Sequence, residues 1–218
     1  MLTYKIHLIR HGLTQANWEG RYIGTTDLPL CEQGRQKLEQ LYNTSDYPAV
    51  DIVYTSPLKR AVETAEILFP DRLIEPVPNL RELDFGDFEG KTAFELEDDP
   101  AFRLWISSPE GCPPHGESIQ SLKKRSIEAI AYIFGQMMEK KMKSAAVVTH
   151  GGLIMNLLAE MGLPERKAMR WTVQDGRGYT LLLTTQMWMR DKKFEVYEQI
   201  PYEKLQEELN WDEIENNL

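Results

Sequence analysis

Two apolar runs in the sequence end on a histidine followed by glycine. Ile6-His7-Leu8-Ile9 leads into Arg10-His11-Gly12, and Val147-Val148-Thr149 leads into His150-Gly151-Gly152. A strand that ends this way puts its histidine beyond the carboxyl edge of a sheet, where the ligands of α/β proteins collect. The glycines let backbone approach a ligand, and a helix starting near Leu153 would offer free N–H groups to an anion. Arg60 follows Ser56-Pro57, a pair that predicts a helix N-cap with proline in the first turn. It therefore brings a guanidinium to a third strand end. Arg10, His11, Arg60 and His150 together predict a pocket for a phosphoryl group.

Each residue alone has a plainer explanation. A histidine at a strand end is more often a satisfied hydrogen-bonding group than a nucleophile, and a single arginine is usually a surface charge. His7 and His11 have the i, i+4 separation that chelates zinc on a helix. On a strand running into a loop their rings are not brought together, so no metal site is predicted and His7 is read as structural. His115, inside Cys112-Pro113-Pro114-His115-Gly116, reads as a loop residue.

The elements that must hold these groups alternate. Strands are expected at 4–10, 51–55, 73–77, 144–149 and 178–185, and helices at 33–42, 58–69, 117–141 and 153–161. Such alternation predicts a three-layer α/β/α sandwich around a mostly parallel sheet. Residues 84–116 mix glycine, proline, acidic and aromatic residues and predict a small cap. Residues 1–190 form the expected domain and 191–218 an acidic extension. Tyr202, Leu205, Leu209, Ile214 and Leu218 give that extension an amphipathic, helical pattern. It reads either as a helix docked on its own domain or as a homodimer contact.

The chain has 218 residues and a formal charge of -9, with 25 Lys and Arg against 34 Asp and Glu. The segment 191–218 holds nine of those acids and three of the bases, which leaves residues 1–190 near balance at -3. Nucleic acid is excluded as a general partner, because a polyanion needs abundant clustered cations. A small phosphorylated metabolite is not excluded. Two distant cysteines, no signal-peptide pattern and no run of 18 apolar residues predict a cytoplasmic protein without a membrane partner.

The run Leu8-Ile9-Arg10-His11-Gly12-Leu13-Thr14-Gln15-Ala16-Asn17 resembles the signature of the histidine phosphatase superfamily, in its phosphoglycerate-mutase-like branch. The resemblance continues through Gly20-Arg21-Tyr22, Asp27 to Leu30, Gly34, Thr55 to Ala61 and Thr64-Ala65. It then takes in Leu80-Arg81-Glu82, Phe85 to Gly90, Gly116-Glu117-Ser118 and Val147 to Gly152. Leu13, Cys31 and His115 depart from the pattern without removing a catalytic group.

The resemblance implies that His11 is a nucleophile forming a phosphohistidine, with Arg10, Arg60 and His150 around the phosphoryl oxygens. It implies Glu82 as general acid and base, substrate contacts from Asn17, Thr14, Gly24 and Gly151, and no metal or other cofactor. Three functions fit: a phosphomonoesterase, a phosphoglycerate mutase, or a non-catalytic phospho-ligand binder of the same fold. The acidic stretch Phe94 to Phe102 is expected to repel a carboxylate-bearing substrate, which favours the phosphatase. Phe85 to Gly90 and Val173 to Gly176 further resemble α-ribazole phosphatases and broad-specificity phosphatases of small metabolites.

Overall fold

The computed structural model describes residues 2–108 and 111–204. Its strands are β1 (Thr3–Arg10), β2 (Ser45–Asp46), β3 (Ile52–Thr55), β4 (Ile74–Pro76), β5 (Ser144–Thr149), β6 (Gly162–Leu163), β7 (Gly178–Thr184), β8 (Phe194–Ile200) and β9 (Tyr202–Glu203). The helices are α1 (Gln15–Trp18), α2 (Glu32–Thr44), α3 (Lys59–Leu68), α4 (Pro100–Ser107), α5 (Ile119–Glu139), α6 (Gly151–Met161) and α7 (Thr185–Asp191).

Seven strands form one sheet in the order β4-β3-β5-β1-β7-β8-β6, and β2 pairs with β9 separately. Within the seven, β7 alone runs against its neighbours, so the sheet is mostly parallel. Alternation along β1 decides which side chain meets which helix layer. Ile6 and Leu8 are buried with Ile130, Ile133 and Phe134 of α5 and Ile154 and Leu157 of α6. Ile9 points the other way, into a cluster with Leu38 of α2 and Ala61, Ala65 and Leu68 of α3. The sheet is thus covered on both faces, as the alternation of elements predicts.

The segment expected as a cap has its own aromatic core. Phe88, Leu96 and Phe102 are buried there, with Tyr22, Phe85 and Trp105 packed around them. The Phe88 and Phe102 rings meet edge to face with centroids 5.5 Å apart, a favourable arrangement of their quadrupoles.

Three expectations require correction. Ser56 is not the N-cap of α3, because that helix begins at Lys59 with Leu58 in the cap position. Asp27 supplies the missing acceptor, taking the Lys59 N–H at 2.7 Å, and the Ser56 hydroxyl is left for the site. The helix of the second histidine begins at Gly151, not near Leu153, with His150 itself in the cap position.

The third correction concerns the acidic extension. The sheet runs past residue 190: β8 pairs antiparallel with β7, and Phe194 and Ile200 are buried in the core. Tyr202 lies in β9 and not in a helix. Leu205, Leu209, Ile214 and Leu218 lie outside the described residues. Among the described residues, no helix is long and apolar enough to cross a membrane.

Candidate active site

His11 leaves the end of β1 with its backbone N–H bonded to the Thr149 carbonyl, the last residue of the adjacent β5. That register places the two strand-end histidines side by side, and the His11 and His150 ring centroids lie 4.9 Å apart. His11 Nδ1 donates to the Gly12 carbonyl at 2.6 Å. A carbonyl can only accept, so the proton sits on Nδ1 and Nε2 keeps its lone pair. Burial, followed by the charge of Arg60 and more weakly that of Arg10, holds His11 well below the ordinary imidazole value. The Gly12 bond opposes them only in part. The ring is therefore neutral near pH 7.

His150 is fully buried, and its Nε2 lies 2.8 Å from Ser56 Oγ. Burial first, then the neighbouring His11, Arg60, Arg125 and Arg10, also push its pKa well down. In the neutral ring only one nitrogen carries a proton. Nδ1 makes no hydrogen bond among the described residues and is positioned as a donor when the Ser56 hydroxyl donates to Nε2.

Arg60 is a wholly buried guanidinium on the first turn of α3. Its Nη1 donates to the Thr26 carbonyl at 2.9 Å and its Nη2 to the Gly24 carbonyl at 2.7 Å, while Nε finds no partner among the described residues. Burial lowers its pKa, opposed by the carboxylates of Glu82, Glu89 and Asp27. Arg10 donates from Nη1 to the Val173 carbonyl at 2.9 Å. Its Nε lies 3.2 Å from Asp175 Oδ1, close enough for an ion pair but without hydrogen-bond alignment.

Glu82 is buried where the cap meets α6. Oε2 accepts from the Gly152 N–H at 2.8 Å and Oε1 from the Leu83 N–H at 2.9 Å. The Gly152 amide at the start of α6 thus serves this carboxyl group, at the positive end of the helix, where the sequence assigned such amides to a ligand. Gly152 is required for that contact, because a Cβ there would stand 2.6 Å from Glu82 Oε1.

The remaining expected contacts divide in two. Asn17 lies near the His11 loop, and Gly151 packs against Arg10, where a Cβ would stand 3.4 Å from Nε. Thr14 and Gly24 are turned inward. The Thr14 hydroxyl caps α1 and donates to Asn17 Oδ1 at 2.9 Å, orienting that amide. Gly24 gives its carbonyl to Arg60 and its N–H to Glu89 Oε1. His7, between Thr180 Oγ1 at 3.0 Å and Ser144 Oγ at 3.1 Å, is structural as expected. His115 is exposed and pairs with Asp87 at 3.0 Å.

Several residues that organise the site escape a reading by residue type. Glu89 accepts from the backbone N–H groups of Gly24, Thr25 and Phe85 and from the Thr26 hydroxyl, fixing the loop whose carbonyls hold Arg60. Thr64 accepts the Gly12 N–H at 2.9 Å. Ser56 was read as a cap and Asp175 as part of a motif. The acidic stretch beside the cap needs a different explanation. Glu95 pairs with Arg21, Asp98 with Arg103, and Asp99 caps α4, so these acids are engaged locally. None of them lines the cavity of about 490 Å³ beside Glu82, whose walls include Thr25, Arg81, Asp84, Ser118 and Ser121. The charge argument against a carboxylate-bearing substrate is therefore withdrawn.

Residues 6–208 match the family model of the histidine phosphatase superfamily (branch 1). The adenosylcobalamin/α-ribazole phosphatase of Escherichia coli is 31% identical over 178 residues, covering 79% of this chain and 86% of that protein. A 2,3-bisphosphoglycerate-dependent phosphoglycerate mutase of Rhizobium etli is 30% identical over 181 residues, covering 77% and 81%. The crystal structure of the α-ribazole phosphatase from Shigella flexneri superposes with a TM-score of 0.75 at 27% identity, covering 88% of this chain and 94% of that one. A matching sequence over most of its length and a matching fold lead to one assignment: the chain belongs to the histidine phosphatase superfamily (branch 1) and is a phosphatase enzyme.

Proposed function

We propose that the chain hydrolyses phosphate monoesters of small hydroxylated metabolites through a phosphohistidine on His11, without a metal ion. The observation that carries this reading is the His11 ring: neutral, protonated on Nδ1 by its bond to Gly12, and flanked by two arginines. In the first step Nε2 attacks phosphorus in line, the N–P bond forms and the P–O bond to the alcohol breaks. Glu82 gives its proton to the departing alkoxide. In the second step Glu82, now a carboxylate, takes a proton from water as that water attacks phosphorus. Inorganic phosphate leaves and His11 is restored.

Arg10, the free edge of Arg60, His150 Nδ1 and Asn17 meet the non-bridging oxygens as charge spreads over them. Fixed donors in a dry site do this without reorganising. The alcohol occupies the cavity beside Glu82, whose Thr, Ser, Arg and Asp side chains suit hydroxyl groups. Among such alcohols, α-ribazole 5′-phosphate is the substrate we place first, supported by the relatives that carry that name.

Two experiments test this. His11→Ala is expected to abolish release of p-nitrophenol from its phosphate in chelator-treated buffer. Retained turnover, or loss of wild-type turnover on adding chelator, overturns the mechanism. A panel of α-ribazole 5′-phosphate, sugar phosphates, nucleotides and 3-phosphoglycerate tests the substrate class. Isomerisation of 3-phosphoglycerate outpacing every hydrolysis would replace the phosphatase with a mutase.

A further inference from the structure

Glu82 stands on an irregular segment between a 3₁₀ turn at Pro78–Leu80 and the cap, with no strand or helix to hold it. A general acid in such a place needs its position fixed by something else. The groups that do so come from α5 and the turn before it. Arg125 donates to the carbonyls of Asn79 at 3.0 Å, Arg81 at 2.5 Å and Glu82 at 2.9 Å. The same guanidinium forks onto Glu117 with two bonds of 2.7 Å. Glu117 in turn donates its backbone N–H to the Asp84 carbonyl at 2.9 Å, just beyond Glu82. From the opposite side, Thr149 Oγ1 donates to the Leu80 carbonyl at 2.8 Å. Of the four carbonyls from Asn79 to Glu82, one cation thus gathers three and Thr149 takes the fourth.

We infer that Arg125, held by Glu117, is a positioning residue for the Glu82 carboxyl group, and that its contribution appears in proton delivery to the leaving alcohol. Both side chains are largely buried, at 12% and 15% exposure, so the pair is not a solvent-screened surface bridge. A paired guanidinium is also matched to this task, since its planar donors reach several carbonyls at once where an ammonium meets fewer in fixed directions. Neither residue needs to touch the phosphoryl group. Both side chains also line the cavity given to the alcohol, so replacing them acts on binding as well; displacing Glu82 by a fraction of an ångström would uncouple it from the leaving oxygen, a loss that the alkyl-to-aryl ratio of kcat reads apart from KM. The inference rests on the acid role given to Glu82 above.

The test compares an alkyl phosphate, ribose 5-phosphate, with an aryl phosphate, p-nitrophenyl phosphate, whose leaving group needs little protonation. Arg125→Met is expected to lower kcat on the alkyl substrate by about 30-fold and on the aryl substrate by about threefold or less, whatever the change in KM. Arg125→Lys is expected to recover part of the loss. Glu117→Gln keeps the guanidinium but loosens its fork, and is expected to shift the same ratio less. It also serves as the readout if the methionine variant does not fold. In a Glu82→Gln background, Arg125→Met is expected to leave the alkyl-to-aryl ratio unchanged, because the group it positions is already disabled. Equal losses on both substrates, or a further change of ratio in the Glu82→Gln background, overturn the inference. A selective Glu82→Gln beside an unselective Arg125→Met removes the positioning role alone. An unselective Glu82→Gln removes the acid role and the positioning role together.

Discussion

A hydrogen-bond partner that can only accept fixes a histidine's tautomer, and that sets its chemistry. His11 is held by a carbonyl, which frees Nε2 to attack; His150 faces the Ser56 hydroxyl, and its Nδ1 is a donor when that hydroxyl gives its proton to Nε2. Ser56→Ala removes the second constraint, so kcat is expected to fall about tenfold with little change in melting temperature, as steady-state kinetics and thermal unfolding would show. If kcat is unchanged, the hydroxyl does not select the tautomer. Gly152→Ala drives a methyl group against Glu82 Oε1 and breaks its bond to the helix amide. The expected result is a loss of at least about tenfold on alkyl phosphates and a smaller one on aryl phosphates. The pH dependence follows from the same environment. Burial and two guanidinium groups depress the His11 pKa, so the ring stays neutral as pH falls through 6.5. The acid limb of kcat/KM is therefore expected well below that value, and a limb at 6.5 would contradict the neutral, buried nucleophile.

Among the secondary-structure elements, the readable ones are those whose burial leaves a periodic trace. The apolar cores of β1, β3 and β5, the small face of α3 and the long α5 are all expected from sequence and all observed within a few residues. β8 is the instructive failure. Phe194, Val196 and Ile200 are separated by Glu195, Tyr197, Glu198 and Gln199, a half-exposed strand whose acidic residues resemble those of the segment after it. Net charge over a long window hid a pattern of period two. Arg10, His11, Arg60 and His150 could be singled out because they sit beside the glycines, prolines and strand ends that mark them, whereas Glu82 entered only through the family resemblance. Glu89, Thr64 and Ser56 were not legible, because their work is to hold backbone groups 52 to 65 residues away in sequence or, for Ser56, the ring of a residue 94 positions away. Removing residues 191–218 tests the reassigned strand. The truncation uncovers the edge of β7 and deletes the buried Phe194 and Ile200, each worth about 1.5–3 kcal/mol of burial. A chain that no longer unfolds cooperatively in urea is the expected outcome; an unchanged midpoint would remove β8 from the sheet.

Across the molecule, three histidines are buried in neutral form, and together they tie folding to pH. Burial, then the charge of Lys5, lowers His7 to about 4, while His11 and His150 are shifted in the same direction. Below pH 6.5 the unfolded chain binds protons that the folded chain does not, so stability falls as pH falls toward 4. His7 alone is expected to account for about 2 kcal/mol between pH 7.5 and 5. Unfolding free energies of wild type and His7→Gln, taken from urea titrations, should therefore shift relative to each other by that amount as pH is lowered, and a constant gap would show that His7 is not held neutral. The sheet order has a consequence for the birth of the protein. β1, the strand that carries Arg10 and leads into His11, pairs only with β5 and β7, so Lys5 waits for Ser144 and Leu182 to be made. At about 5–20 residues per second on the ribosome, that wait is roughly 10–30 s. For that time β1 is an apolar segment with both edges open, and its shielding during synthesis falls to whatever else meets the nascent chain.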